Sequence, residues 1–222
     1  MFRRQARRPV GRRDEWDRFA AELELVPGDD LAGRLPDQLG LGPGDIGPVY
    51  ALVRPGQPRL VVFDQVRERV GPTGKVTGVR SCVLVRAAGD VEFVSLRVTE
   101  RLGRAMERIE TGRTGSVRVE VTGDPAFDER LGVYARDEAG ARRLLSKPVR
   151  EALLRLLCDG PARSDDGDRP VRGRVAPVVV IGGRNLLLTL EEPGPVPFDR
   201  LGAATVNALG LYAALVAARA AA

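Results

Sequence analysis

Between residues 49 and 98 apolar and polar side chains take turns along the chain. That two-residue rhythm belongs to strands whose successive side chains face opposite sides of a sheet. It fills 49–53 and 59–70, parted by Arg54-Pro55-Gly56-Gln57-Pro58, then 76–88 after Gly71-Pro72-Thr73-Gly74-Lys75, then 91–98 after Gly89-Asp90. In 76–88, Val79, Ser81, Val83 and Val85 share one face, and Arg80, Cys82, Leu84 and Arg86 share the other. Connections this tight predict a meander of four antiparallel strands.

Elsewhere the period lengthens. Trp16, Phe19, Ala20, Leu23 and Val26 are spaced for one amphipathic helix over 14–26, with Asp14 as its N-cap. Residues 27–48, rich in Gly, Pro and Asp and anchored by Leu31, Leu35, Leu39 and Leu41, read as a loop with one helical turn. Leu102, Ala105, Met106 and Ile109 predict a helix over 99–109 with Thr99 as cap, ended by the Gly-rich 111–115. Strands follow at 116–122 and 131–135. A helical stretch over 137–145 and 149–157 is interrupted at Lys147-Pro148 and carries Leu144, Leu145, Val149, Leu153, Leu156 and Leu157 as its buried stripe. Residues 159–174, almost without apolar side chains, read as a mobile loop. A hairpin over 175–181 and 185–190 turns at Gly182-Gly183-Arg184, and a last helix covers 198–219.

These elements predict an α+β fold, a mainly antiparallel sheet with helices packed on one face. Residues 1–13 form a disordered basic arm and 14–47 a helix and loop. Residues 48–222 form the body, as one main domain or two packed halves, 48–115 and 116–222. With 222 residues, 43% of them hydrophobic, the chain can bury a sizeable core.

Composition changes the picture by what it lacks. The chain has no histidine, which removes the side chain most used for proton transfer near neutral pH and for zinc ligation. Two cysteines, Cys82 and Cys158, cannot build a disulfide framework, and no early apolar run follows the basic start, so a cytoplasmic location is expected. The last helix holds an uncharged stretch over 201–218, but it is dominated by Ala and Gly, includes Thr205 and Asn207, and is short for a hydrocarbon core about 30 Å thick. Packing on the sheet is the expectation.

The formal charge of +5 is concentrated in Arg3, Arg4, Arg7, Arg8, Arg12 and Arg13, so the remainder of the chain is close to neutral. Guanidinium groups pair with phosphate oxygens, and such an arm suits nucleic acid or an anionic lipid surface; blocks of like charge are also commonly solvated tails. Lys75 and Lys147 are the only lysines among 35 basic residues, a skew that fits GC-rich coding.

Candidate chemistry is sparse. Gly71-Pro72-Thr73-Gly74-Lys75 resembles a phosphate-binding loop, but Arg69 and Val76 occupy positions where that motif needs Gly and Ser or Thr, and a strand follows where it needs a helix. Cys82 lies in an apolar strand and reads as a small buried hydrophobe. Asp165, Asp166 and Asp168 lack the spacing of a calcium loop, and Asp124 with Asp128 read as caps or turn residues. Asp64 stands between Phe63 and Gln65 on an apolar strand and either faces solvent or needs a partner, for which Arg67 on the same face is the expectation. An enzyme would gather Asp64, Arg67 and Arg80 in one cleft.

Val61-Val62-Phe63-Asp64, the turn with Gly71, Gly74 and Lys75, and Val79-Arg80-Ser81-Cys82-Val83 resemble the hallmark of a family of uncharacterised bacterial proteins, a domain of unknown function. In that family a strand ending in Phe-Asp-Tyr leads through Gly-Ser-Gly-Lys to a Gln-Thr-Val strand. Asp124-Pro125-Ala126-Phe127-Asp128-Glu129-Arg130-Leu131 is similar to its Asp-Pro-x-Phe-Asp-x-x-Phe motif. Asp137-Glu138-Ala139, Leu144-Leu145 and Val149-Arg150-Glu151 extend the resemblance, which runs over residues 48–218. Gln65 and Val66 stand where the family has aromatic residues. Many members carry N-terminal apolar segments that associate with membranes, and none is seen here. The resemblance implies a fold and brings no activity or cofactor.

The expected function is therefore a non-catalytic binding or scaffolding module for a protein partner, peripheral to the inner surface of a membrane. Nucleic-acid binding through the arm and an enzyme using carboxylate and arginine chemistry are the alternatives. No cofactor, metal or small-molecule ligand is expected.

Overall fold

The computed structural model describes residues 13–28, 31, 45–54, 56–71, 74–88, 91–100, 115–120, 124–159, 175–192 and 196–221. Their strands are β1 (Val26–Pro27), β2 (Asp45–Leu52), β3 (Arg59–Gly71), β4 (Gly74–Arg86), β5 (Phe93–Glu100), β6 (Val117–Val119), β7 (Leu131–Ala135), β8 (Val175–Gly183) and β9 (Asn185–Glu192). All nine join one sheet in the order β1-β2-β3-β4-β9-β8-β5-β7-β6. Each neighbouring pair is antiparallel. The helices are α1 (Arg13–Glu22), α2 (Pro125–Arg130), α3 (Glu138–Leu144), α4 (Lys147–Leu154), which runs into a π turn at Arg155–Asp159, and α5 (Phe198–Ala220). The architecture is α+β, as the pattern of elements implied.

Strand order departs from the expected meander. β2, β3 and β4 follow one another, but β5 does not pair with β4; the β8–β9 hairpin lies between them. Composition explains the choice. β4 is apolar on both faces, Val83 and Val85 on one and Cys82 and Leu84 on the other, and all four are buried. β9 matches it with Leu186 and Leu188 on the first face and Leu187 on the second, whereas β5 carries Ser95 and Arg97 at second-face positions. Placing β9 there extends the second apolar cluster, and β5 would end it. The sheet therefore runs across the expected division near residue 115, with β5 between β8 and β7.

The helices cover the first face. Leu60, Val62, Val83, Val85, Val98, Val133, Val179, Ile181, Leu186, Leu188 and Leu190 form one cluster with Trp16 and Phe19 of α1, Phe127 of α2, Leu144 of α3, Leu153 of α4 and Leu201, Leu211 and Leu215 of α5. Trp16 stacks on Tyr50 at 5.3 Å between ring centroids and meets Phe198 edge-on at 5.0 Å. α5 is the one helix among the described residues long and apolar enough to cross a membrane. Here it lies on β4, β9 and α4, burying Leu201, Ala204, Thr205, Ala208, Leu211 and Leu215. The buried Thr205 hydroxyl donates back to the Leu201 carbonyl at 2.8 Å.

Several local expectations change. Arg13 opens α1 and so does not belong to the arm, and Asp14 sits in the first turn where the expected cap would precede the helix. The helix stops short of Val26 through a Schellman turn: Leu25 N–H donates to Ala20 O at 2.7 Å and Glu24 N–H to Ala21 O at 3.2 Å, with Glu24 left-handed at φ 55°. Val26 then enters β1 and stands 59% exposed. Residues 45–48, read as loop, begin β2, and Thr99 pairs within β5 where a cap was expected. The break before α4 falls at Leu145 and Ser146, and Pro148 occupies the first turn of α4, where its missing N–H costs nothing. The helix expected over 101–109, the loop with Asp165, Asp166 and Asp168, and the arginines from Arg3 to Arg12 lie outside the described residues.

Candidate functional site

Two adjacent strands, β3 and β4, carry the polar groups that sequence singled out, and β9 lies beside β4. Asp64 of β3 is opposite Ser81 of β4, which is opposite Leu190 of β9, all on the helix-covered face. The Ser81 hydroxyl donates to Asp64 Oδ1 at 2.6 Å, and both residues are buried. β2 bulges here: Ile46 pairs with Gln65 and Val49 with Phe63, so Gly47 and Pro48 together face Asp64. Proline has no N–H for a ladder, so the bulge suits Pro48, and a Cβ on Gly47 would make ordinary contact with the Asp64 carbonyl oxygen at 3.4 Å.

One residue along, the side chains turn to the second face. Gln65 is opposite Arg80, and Arg80 opposite Glu191. Arg80 Nη2 reaches Glu191 Oε2 at 3.0 Å, with side chains only 16% and 11% exposed. Asp64 and Arg80 thus lie on opposite faces of the sheet. Arg67 lies three positions beyond Asp64 on β3, and its side chain lies outside the described residues. The structure does not gather Asp64, Arg67 and Arg80 in one cleft, and Ser81 is the partner that Arg67 was expected to be.

The other candidates resolve into structure. Burial pushes the Cys82 thiol far above its usual pKa, with Arg80 pulling weakly the other way, so this thiol stays protonated and unreactive. Asp124 caps α2, accepting from the Phe127 N–H at 3.1 Å, and binds Arg150 Nε at 2.7 Å. The Arg150 hydrogen bond, reinforced by the Phe127 N–H, holds the Asp124 carboxyl below the usual aspartate range. Arg150 also donates to the Leu145 carbonyl at 2.7 Å, tying α2 to the end of α3. The Asp-Pro-x-Phe-Asp segment is accordingly a capped helix whose Phe127 enters the core. Asp137 likewise caps α3 through the Gly140 N–H at 2.8 Å. Gly71 and Gly74 close the β3–β4 hairpin, with strands on both sides. Among the described residues no group of three or more acidic or cysteine side chains is arranged to hold a metal ion.

Sequence reasoning did not find the row at the other end of the second face. Arg59 is opposite Arg86, Arg86 opposite Asn185, and Asn185 opposite Gly182. A β5 bulge between Phe93 and Leu96 brings Ser95 against Gly182, where an added Cβ would lie 3.3 Å from the Ser95 hydroxyl. The row offers two guanidinium groups, an amide and a hydroxyl, and no acid. Such groups bind oxyanions and perform no proton transfer at neutral pH. The alternation in 76–88 contained Arg86 as a signal, but only the strand register reveals its neighbours.

Compared with known protein families, with curated proteins and with solved structures, the chain matches none.

Proposed function

We propose that this chain is a non-catalytic binding and scaffolding module, working at the inner surface of a membrane and engaging a protein partner there. The observation that carries the reading is the use made of the interior polar groups. Asp64 is spent on Ser81, Arg80 on Glu191 and Asp124 on Arg150, while Cys82 is sealed in the sheet. Each of these groups holds two elements together, and a rigid body of this kind serves recognition.

The arginines from Arg3 to Arg12 supply attraction to anionic lipid, about 1 kcal/mol for each basic residue close to the surface. Cosedimentation with vesicles containing anionic phospholipid, run across salt, tests this part. Binding should weaken as salt rises and fall steeply when residues 1–12 are deleted; unchanged binding removes the arm from the account. The same titration with a single-stranded oligonucleotide addresses the alternative, since phosphate-backbone binding falls along a log–log line in salt. Affinity purification of the full chain should recover a protein partner. A turnover abolished by changing one acid or thiol would defeat the non-catalytic reading.

A further inference from the structure

Directly opposed like charges destabilise an antiparallel pair, yet Arg59 and Arg86 face each other across β3 and β4. The Arg59 Nε–H is shielded from solvent and donates to no acceptor. Arg86 is exposed, and Asn185 and Ser95 continue the row without an acid. A row of this composition is relieved by an anion with several oxygens, because a phosphate accepts from two guanidinium forks at once.

Apolar exposure singles out the same margin. The large apolar side chains that stand exposed among the described residues are Val26, Val53, Val117, Val180 and Val206. Val26 is opposite Ala51 and Val180 opposite Leu187, both second-face positions. Leu52 is opposite Leu60 in the last pair of β2 and β3; Val53, 62% exposed, follows Leu52, and Arg59 precedes Leu60. Val26 and Val180 thus stand exposed on the face of the opposed arginines, and Val53 stands exposed where β2 ends next to them. Inward of them the cluster of Ala51, Val61, Leu84 and Leu187 is already buried, with Leu31 and Ile46 packed against it, so the valines are the uncovered rim.

We propose that this margin of the second face lies on an anionic phospholipid bilayer, Arg59 and Arg86 taking lipid phosphates and Val53 with Val180 resting at the boundary between headgroups and acyl chains. The combination favours lipid over nucleic acid. Nucleic-acid surfaces of this kind need aromatic rings for the bases, and the second-face rings among the described residues, Phe63 and Tyr134, are 0% and 2% exposed. Interfacial binding combines exposed apolar area with cations that attract anionic lipid, and here valines stand near two arginines. The inference rests on the membrane part of the proposed function and adds the orientation, with the helices facing away from the lipid and left for a protein partner.

Vesicles of phosphatidylglycerol and phosphatidylcholine test it with the full chain. Arg59→Gln with Arg86→Gln should lower partitioning about fivefold per arginine, roughly 20- to 30-fold for the pair, and Val53→Asp should lower it further. Arg143→Gln with Arg155→Gln, equal charge removed from exposed helix positions, should lower it much less. Thermal unfolding should show the Arg59/Arg86 variant at least as stable as the parent, because a repulsive pair is gone. If the parent chain does not bind vesicles at all, the membrane reading falls and takes the inference with it. If the parent binds and the two double variants are weakened equally, this inference alone is overturned. Loss of oligonucleotide binding in the Arg59/Arg86 variant with vesicle binding intact would name nucleic acid as the occupant and overturn it too.

Discussion

The two faces of the sheet are made by the same strands, yet they are built differently. On the helix-covered face an apolar field extends from Leu60 to Val133 and is closed by the five helices of the described residues, with Asp64 and Ser81 bonded to each other within it. On the second face the buried apolar cluster among the described residues is smaller, Val49, Ala51, Val61, Phe63, Cys82, Leu84 and Leu187, with Leu31 and Ile46 packed against it. At one end it gives way to Gln65, Arg80 and Glu191, and at the other to Arg59, Arg86 and Asn185. The first polar row is neutralised by an internal ion pair; the second is cationic. One face is thus committed to the helix-covered core, and the other ends in a cationic row.

Adjacent leucines of β9 put that contrast to a direct test. Leu188 is fully buried under the helices and Leu187 lies in the smaller cluster. Leu188→Ala should fall in the upper part of the ~2–5 kcal/mol range for such truncations, and Leu187→Ala in the lower part, because the shallower site can relax into the space. Urea denaturation of both variants measures the difference. Equal losses would mean that the second face is as much a core as the first.

The ion pair of the second face comes next in size. Arg80→Ala leaves Glu191 poorly solvated and should cost about 2–3 kcal/mol, less than the 3–5 of a fully buried pair because both side chains retain some exposure. The double change Arg80→Met with Glu191→Leu should recover most of that loss. On the helix side, Asp64→Ala removes the acceptor of the Ser81 hydroxyl and should cost about 1–3 kcal/mol. A loss for Asp64→Ala larger than that for Arg80→Ala would reverse the assignment of strength to the two polar rows.

The chain announced its elements better than its neighbours. β7 at Leu131–Ala135, the β8–β9 hairpin around Gly183 and the closing helix follow from alternation, from a left-handed glycine at φ 53° and from apolar spacing, all of which are local. The insertion of that hairpin beside β4 is not local: alternation fixes which face a side chain takes, and many strand orders satisfy it. The same limit explains Asp64. Its partner Ser81 comes from across a strand pair, and a search along β3 leads to Arg67. Gly47 and Pro48 read as part of a loop because a bulge is visible only against the opposing strand. Val26 was lost to a helix stop made by Glu24, a residue type with no special preference for left-handed backbone. The caps were legible because Asp124 and Asp137 satisfy N–H groups within their own first turns.

The smallest expected effect separates the fold's helical side from its sheet by pH. The carboxyl of Asp124 sits below its ordinary pKa because Arg150 donates to it, so the folded state binds this proton less readily than the unfolded chain does. Its contribution is fully present above the unfolded value near pH 4 and is lost as pH falls through the lower folded value. Asp124→Asn keeps a side chain able to cap α2 while removing the charge that binds Arg150. The parent should be the more stable of the two at pH 6, and the gap should close progressively below about pH 4. Arg150 retains the Leu145 carbonyl in both proteins, so α3 stays anchored and the transition remains cooperative. Chemical denaturation at intervals from pH 6 to pH 2 reads the gap directly. A gap that persists undiminished at pH 2 would mean that the charge of Asp124 is not what separates the two proteins, and the tie between α2 and the start of α4 would lose its electrostatic explanation.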